Sequence, residues 1–299
     1  MSAHAFGEGA IARCHACKAV RSRRGRGYIY APPEGSPWAD SPSPCPGAPE
    51  APEGLEGEAE GGSDGGGEGG WRSQEIVFFD LETTGLDPRI HVPTEVGLVR
   101  GRVRSDGSVA VSERYVSLCY VPPAMEAHAR ETSAITGIAY EDLLRAPSFG
   151  YVAAQVSAFL SRAEPGAVMA SYNSAFDVPF FGYAHVRAGC DLHALLLQPA
   201  VLDPMLWSRR IDRYVTGGHK LTTVASRKGL LAPEEMASAH RADFDAELGL
   251  RVLAHFARDK RVPAALDELH LWQRVARAEW EAHYFGYRLR QMKAERAEG

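Results

Sequence analysis

Beyond about residue 74 the chain switches between the two periods of regular structure. Ile76 to Phe79 is a short continuous apolar, β-rich run with a Gly/Ser-rich stretch before it and a turn after, the pattern of a strand buried on both faces. Extended segments follow over Thr94–Arg104 and Val109–Tyr120. Ser105-Asp106-Gly107 between them predicts a hairpin, and Pro122-Pro123 stops the sheet. Thr132–Gly137 reads as a short helical turn and Ser148–Arg162 as an amphipathic helix. Ala167–Ser171 is another apolar strand, Asp177–Ala188 a helix, and Ala200–Leu202 a last strand before Asp203-Pro204. The rest has helical character, over Pro204–Tyr214, Lys220–Gly229, Asp243–Arg258 and Ala264–Arg296. An antiparallel hairpin followed by alternating helices and strands predicts an α/β fold, a mixed sheet covered by helices on both faces.

Residues 1–73 break this pattern. Arg13 to Arg26 is basic and without an acid. Gly27 to Trp71 holds Asp and Glu but no Lys or Arg, and is rich in Pro and then Gly. Neither half is suited to building a core, so 1–73 is expected to be a disordered low-complexity tail, followed by a domain at 74–260 and a helical extension at 261–299. Cys14 and Cys17 have the spacing of half a zinc site, but no second close pair accompanies them, and an unstructured leader is the expectation. Of the net charge of −5, the tail carries −3 and the body −2, which neither supports nor excludes a polyanionic partner. Met1 to Ala10 lacks a signal-peptide pattern, and no apolar run is long enough for a bilayer. The five cysteines do not suggest a secreted disulfide framework, and a cytoplasmic location is expected.

Chemistry enters at the end of the first strand. Asp80 and Glu82 lie two positions apart, so an extended chain points both carboxylates to one face. Crowded acids raise each other's pKa unless a cation lies between them, and hard ions such as Mg²⁺ or Mn²⁺ prefer oxygen ligands. Thr83, Thr84 and Gly85 then form a tight turn whose backbone can approach a ligand. In Ser171–Phe181 a strand runs through a polar turn into a helix opened by Phe176-Asp177, where a carboxylate is favoured by the helix dipole. From His240, the run HRADFDAELGL offers Asp243 and Asp245. At 100° per residue His240 and Asp245 cannot share a face of one helix. They meet only if His240 lies in the preceding loop, with Asp243 as N-cap and Asp245 on the first or second turn.

Together these stretches resemble the DEDDh (DnaQ-like) exonucleases, the group that includes the proofreading epsilon subunit of bacterial DNA polymerase III. The resemblance rests on Asp80-Leu81-Glu82-Thr83-Thr84-Gly85, on Asn173-Ser174-Ala175-Phe176-Asp177, and on His240 with Asp245 five positions later, and it covers about residues 74–260. Pro93–Gly97 and Thr136-Gly137-Ile138 also fit the family. It implies a ribonuclease-H-like five-stranded mixed sheet and hydrolysis from a 3′ end with release of nucleoside 5′-monophosphates. Asp80, Glu82, Asp177 and Asp245 would hold two Mg²⁺ or Mn²⁺ ions, and His240 would be the general base. The backbone around Thr83, Thr84 and Gly85, with Leu86, would meet the terminal nucleotide. Phe176 would pack under the site and Asn173 would brace the turn.

The leading expectation is a metal-dependent 3′→5′ exonuclease on single-stranded or frayed DNA, with RNA or tRNA 3′ ends as the alternative substrate. A non-catalytic nucleic-acid-binding adaptor is the reading of a different class; the intact set of acids argues against it. A polymerase-tethered proofreading subunit ranks below a stand-alone nuclease, because the chain shows no clear clamp-binding peptide. No membrane partner is expected. The apolar positions of the last helix fit packing on the body, a partner or dimerisation alike.

Overall fold

The computed structural model describes residues 11–13, 20–22, 70–197 and 201–298. Cys14 and Cys17 lie outside the described residues. Ile11–Arg13 (β1) and Val20–Ser22 (β2) pair antiparallel as a ladder of their own. The main sheet has four strands in the order β5-β4-β3-β6. Ile76–Thr83 (β3), Pro93–Val103 (β4) and Val109–Leu118 (β5) run antiparallel, and Val168–Ala170 (β6) runs parallel to β3. The expected mixed sheet is there with four strands, not five. Where the fifth was expected, Leu202 is the one described residue that bridges to β6, at Ala170. Its amide donates to Met169 O and its carbonyl accepts from Ser171 N, and then Asp203 and Pro204 turn the chain into a helix before a ladder can grow.

Because side chains alternate along a strand, β3 divides the core. Ile76 and Phe78 face one layer, built on Pro204–Ile211 (α5), Leu221–Arg227 (α6) and Ala242–Ala257 (α7); it holds Trp207, Val224, Leu248, Val252 and Phe256. Val77, Phe79 and Leu81 face the other layer, where Phe149–Leu160 (α3) and Ser174–Ala188 (α4) supply Val152, Val156, Phe159, Phe180 and Phe181. Both faces are therefore dry, as the unbroken apolar run required. Between the hairpin and α3 lie Glu126–Thr136 (α1), ended by Gly137 at φ 72°, and Tyr140–Leu143 (α2). The short turn expected at Thr132–Gly137 is thus the end of an eleven-residue helix.

Leu266–Glu298 (α8) closes the chain. Its first turns belong to the core rather than to an appendage: Leu269, Gln273 and Ala276 are buried. Gln273 Oε1 accepts from Asp203 N and from Trp207 Nε1 at 2.8 and 2.6 Å. At the other end, Gly70–Ser73 forms a 3₁₀ turn with Trp71 fully buried against Trp207. Trp71 Nε1 donates to Pro263 O, and the Arg72 guanidinium donates to the carbonyls of Ala257, Val262 and Pro263. The expected domain edges at 74 and 260 therefore fall inside packed structure. A tail-like composition hid a single Trp-Arg pair.

Candidate active site

Four carboxylates and one imidazole meet at the end of β3. The strand continues in extended form through Thr83, so Asp80 and Glu82 point to the same face, the one covered by α7. Across β4 their partners are Gly97 and Glu95. Gly97 lets the start of α7 sit directly on the strand: a Cβ there would lie 2.2 Å from the Ala242 carbonyl carbon. Glu95, buried beside it, accepts from the Ala242 amide at 2.7 Å. That bond does the capping expected of Asp243. The helix begins at Ala242, one residue earlier than expected, and its N-cap, Arg241, makes no side-chain cap. Glu95 carried no functional expectation, because its partner is 147 residues away and no local pattern reveals it.

His240 stands in the loop before α7 at φ 68°, a left-handed conformation that costs a non-glycine residue about 1 kcal/mol. Its amide donates to Asp245 Oδ2 at 3.2 Å, and its Nδ1 is 3.9 Å from Glu82 Oε1. Loop histidine and helical aspartate meet in this way. The ring is half exposed, its side chain 51% accessible, whereas Asp245 is only 8% exposed.

Asp177 arrives from the opposite side. It lies in the first turn of α4, 2% exposed, and takes a hydrogen bond from Ser171 Oγ at 2.7 Å and another from the Leu81 backbone. α4 starts at Ser174, three residues before the expected start, because a remote acid caps it. Asp203 accepts from the amides of Asn173 and Ser174 and from Ser174 Oγ, each at 3.0 Å, and from Met205 N at the head of α5. Asn173 takes the second positive φ found among described non-glycine residues, 69°. Asn tolerates this conformation better than most residues, so the brace expected of it lies in its backbone.

The residues of the turn are engaged with one another. Thr83 Oγ1 donates to Gly85 O, and Thr84 exchanges hydrogen bonds with Val92 through its amide and its hydroxyl. A Cβ on Gly85 would fall 2.4 Å from the His91 ring. Leu86 is left 82% exposed beside an open groove of about 550 Å³, lined with Asp87, Pro88, Arg89, His91 and Tyr183. Phe176 is half-buried and packs on Phe180.

Burial and mutual repulsion dominate the electrostatics. Burial, then the charges of Asp177, Asp245, Glu82 and Glu95, hold the Asp80 carboxyl well above the carboxylate range. Burial, then Asp245 and Glu95, push Glu82 up to about 8. Asp177 rises to about 7 and Asp245 to about 6, in both cases chiefly by burial. No Lys or Arg pairs with any of these four within the described residues. Asp245 Oδ1 is buried without a hydrogen-bond partner, and ligand atoms of Glu82, His240 and Asp245 lie within 4.8 Å of one another. An orphaned oxygen in an uncompensated, all-oxygen acidic cluster fits a hard divalent cation.

Residues 77–253, more than half of the chain, match the family described as RNase_T, Exonuclease, and the chain belongs to that family of nucleases. Structures similar to it include those of E. coli exonuclease I. With the zinc-bound complex with single-stranded DNA, the TM-score is 0.48 at 19% identity over 63% of this chain and 42% of that one. With the dT13 oligonucleotide complex it is 0.47 at 19% identity over 64% and 42%. This chain thus spans less than half the length of those enzymes. No curated protein sequence matches it.

Proposed function

We propose that this protein is a metal-dependent exonuclease that removes nucleotides from the 3′ end of single-stranded or frayed DNA, releasing nucleoside 5′-monophosphates. The observation that carries the reading is the convergence of Asp80, Glu82, Asp177 and Asp245 from three separate elements on one uncompensated cluster, with the half-exposed His240 at its edge. The four carboxylates would hold two Mg²⁺ or Mn²⁺ ions. Bound there, the ions would offset the repulsion and supply Lewis-acid stabilisation of charge on the oxygens entering and leaving phosphorus. His240 turns Nδ1 toward Glu82, which leaves Nε2 to accept the proton of the attacking water. Asn173, through its backbone, and Asp203 hold Asp177 in place, and Glu95 and Gly97 do the same for Asp245. The groove beside Leu86 is open and offers Leu86 and Tyr183 to a terminal base, while the Thr83–Gly85 backbone would meet the sugar-phosphate.

The test uses 3′- and 5′-labelled DNA and RNA of one sequence with Mg²⁺, Mn²⁺ or EDTA, beside an Asp80→Ala control. The expected outcome is a cation-dependent ladder shortening from the 3′ end, faster on DNA and lost in the control. Binding without cleavage would overturn the reading in favour of an adaptor; faster RNA trimming would move the substrate to RNA.

A further inference from the structure

One face of α8 is committed to the body. Leu269, Gln273 and Ala276 are buried, Trp272 stacks on Arg210, and Trp280 on Arg209. About 180° around the helix runs a second apolar line: Leu271, Val275, Ala278, Ala282, Phe285, Leu289 and Met292. Its spacing is 4-3-4-3-4-3, three heptads of a coiled-coil seam. Every one of the seven is exposed, Phe285 by 63%. Among the described residues nothing packs on this line, since the described body lies on the other side.

We propose that this face binds a second copy of the chain as an antiparallel two-helix coiled coil. Size and charge choose the occupant and the direction. In an antiparallel pair each a position faces a d position of the other helix. A single register then sets Ala282 against the partner's Phe285, Ala278 against the partner's Leu289, and Val275 against the partner's Met292. Each layer joins a smaller side chain to a larger one, as close packing requires. The same register brings the flanking positions Glu281 and Arg288 face to face, twice by symmetry. Neither side chain has an ion pair among the described residues, so both are free for this one. A parallel pairing would offer Glu281 only Gly286, with no ionic reward. The mixture of acidic and basic residues along α8 also disfavours a purely anionic or cationic partner. The two-fold axis falls beside His283 and Tyr284, and the two bodies, held by the first half of each α8, sit at opposite ends of the seam.

Sedimentation velocity of the full chain over a concentration series tests this. The monomer is 32.5 kDa, and a species of twice that mass is expected to grow with concentration. F285E/L289E is expected to abolish it. E281R and R288E each set like charges opposite one another and are expected to weaken association at least about tenfold, whereas E281R/R288E restores it. All four positions are exposed, so thermal unfolding of the variants serves as the folding control. A wild type monomeric throughout, a dimer indifferent to F285E/L289E, or a double reversal as weak as the single ones would each overturn the proposal. None of these results bears on the nuclease reading.

Discussion

At the residue scale the site is defined by charge without compensation. Asp80, Glu82, Asp177 and Asp245 are all raised above their ordinary range, to about 6 at Asp245, about 7 at Asp177 and about 8 at Glu82, and Asp80 is held well above it by burial and its acidic neighbours. A carboxyl whose pKa is higher folded than unfolded binds its proton more tightly in the folded state. Its contribution to stability is complete below the unfolded value, near 4, and is lost as pH rises through the folded value. In EDTA the protein is therefore expected to lose melting temperature steadily between about pH 4 and 8. Cations bind only the folded cluster, so Mg²⁺ or Mn²⁺ should restore more at pH 8 than at pH 5. Calorimetry at four pH values with and without cation checks this, and an EDTA melting curve independent of pH would contradict the burial of the cluster. On the proposed reading, His240 belongs to the same scale but to the chemistry. His240→Ala is expected to lower turnover about 10²–10⁴-fold, the usual worth of a positioned base. Melting should hardly change, because the ring is half exposed.

At the element scale, two helices carry site acids and neither is placed by its own sequence. α4 is set by Asp203 and α7 by Glu95, each a buried carboxylate reaching helix-start amides from another element. Asp203→Ala would leave the Asn173 and Ser174 amides unpaired in a buried site, at about 1–3 kcal/mol each. It should lower both melting temperature and turnover, and the Asn variant, which keeps an acceptor, should recover part of each. An unchanged rate in the Ala variant would show that Asp177 holds its place without the cap. This division explains what was legible in the chain. β3 announced itself because its apolar run and its two acids are local, and so did the His240–Asp245 pairing, which follows from helix geometry. The start of α4, the cap of α7 and the role of Glu95 were not legible, because they depend on contacts 29 and 147 residues apart. The fifth strand failed for a similar reason: an apolar triplet before Asp203-Pro204 reads as a strand, but the chain turns into α5 and, among the described residues there, only Leu202 pairs.

At the scale of the whole molecule, the two ends of the described domain close on each other. Trp71 lies in the same cluster as Trp207, and its indole donates to Pro263 in the α7–α8 connection, which Arg72 clamps through the carbonyls of Ala257, Val262 and Pro263. Leu269 from the first turn of α8 is in that cluster too, and Gln273 reaches Asp203, which caps α4. The path from Gly70 through α8 to the α4 cap is thus continuous, and both ends are expected to support the site. Trp71→Ala would open a cavity against Trp207, at about 3–5 kcal/mol for a buried Trp. For a domain of this size that is a fall of roughly 10 °C in melting temperature. A chain beginning at Gln74 should be at least as impaired, since it also lacks Arg72, whereas one beginning at Gly70 should melt like the full chain. If the chain starting at Gln74 matched the full chain in melting temperature, the closure would be incidental to stability. If it melted early but kept its turnover at low temperature, the closure would serve stability alone, and the link through Gln273 to Asp203 would not transmit to Asp177.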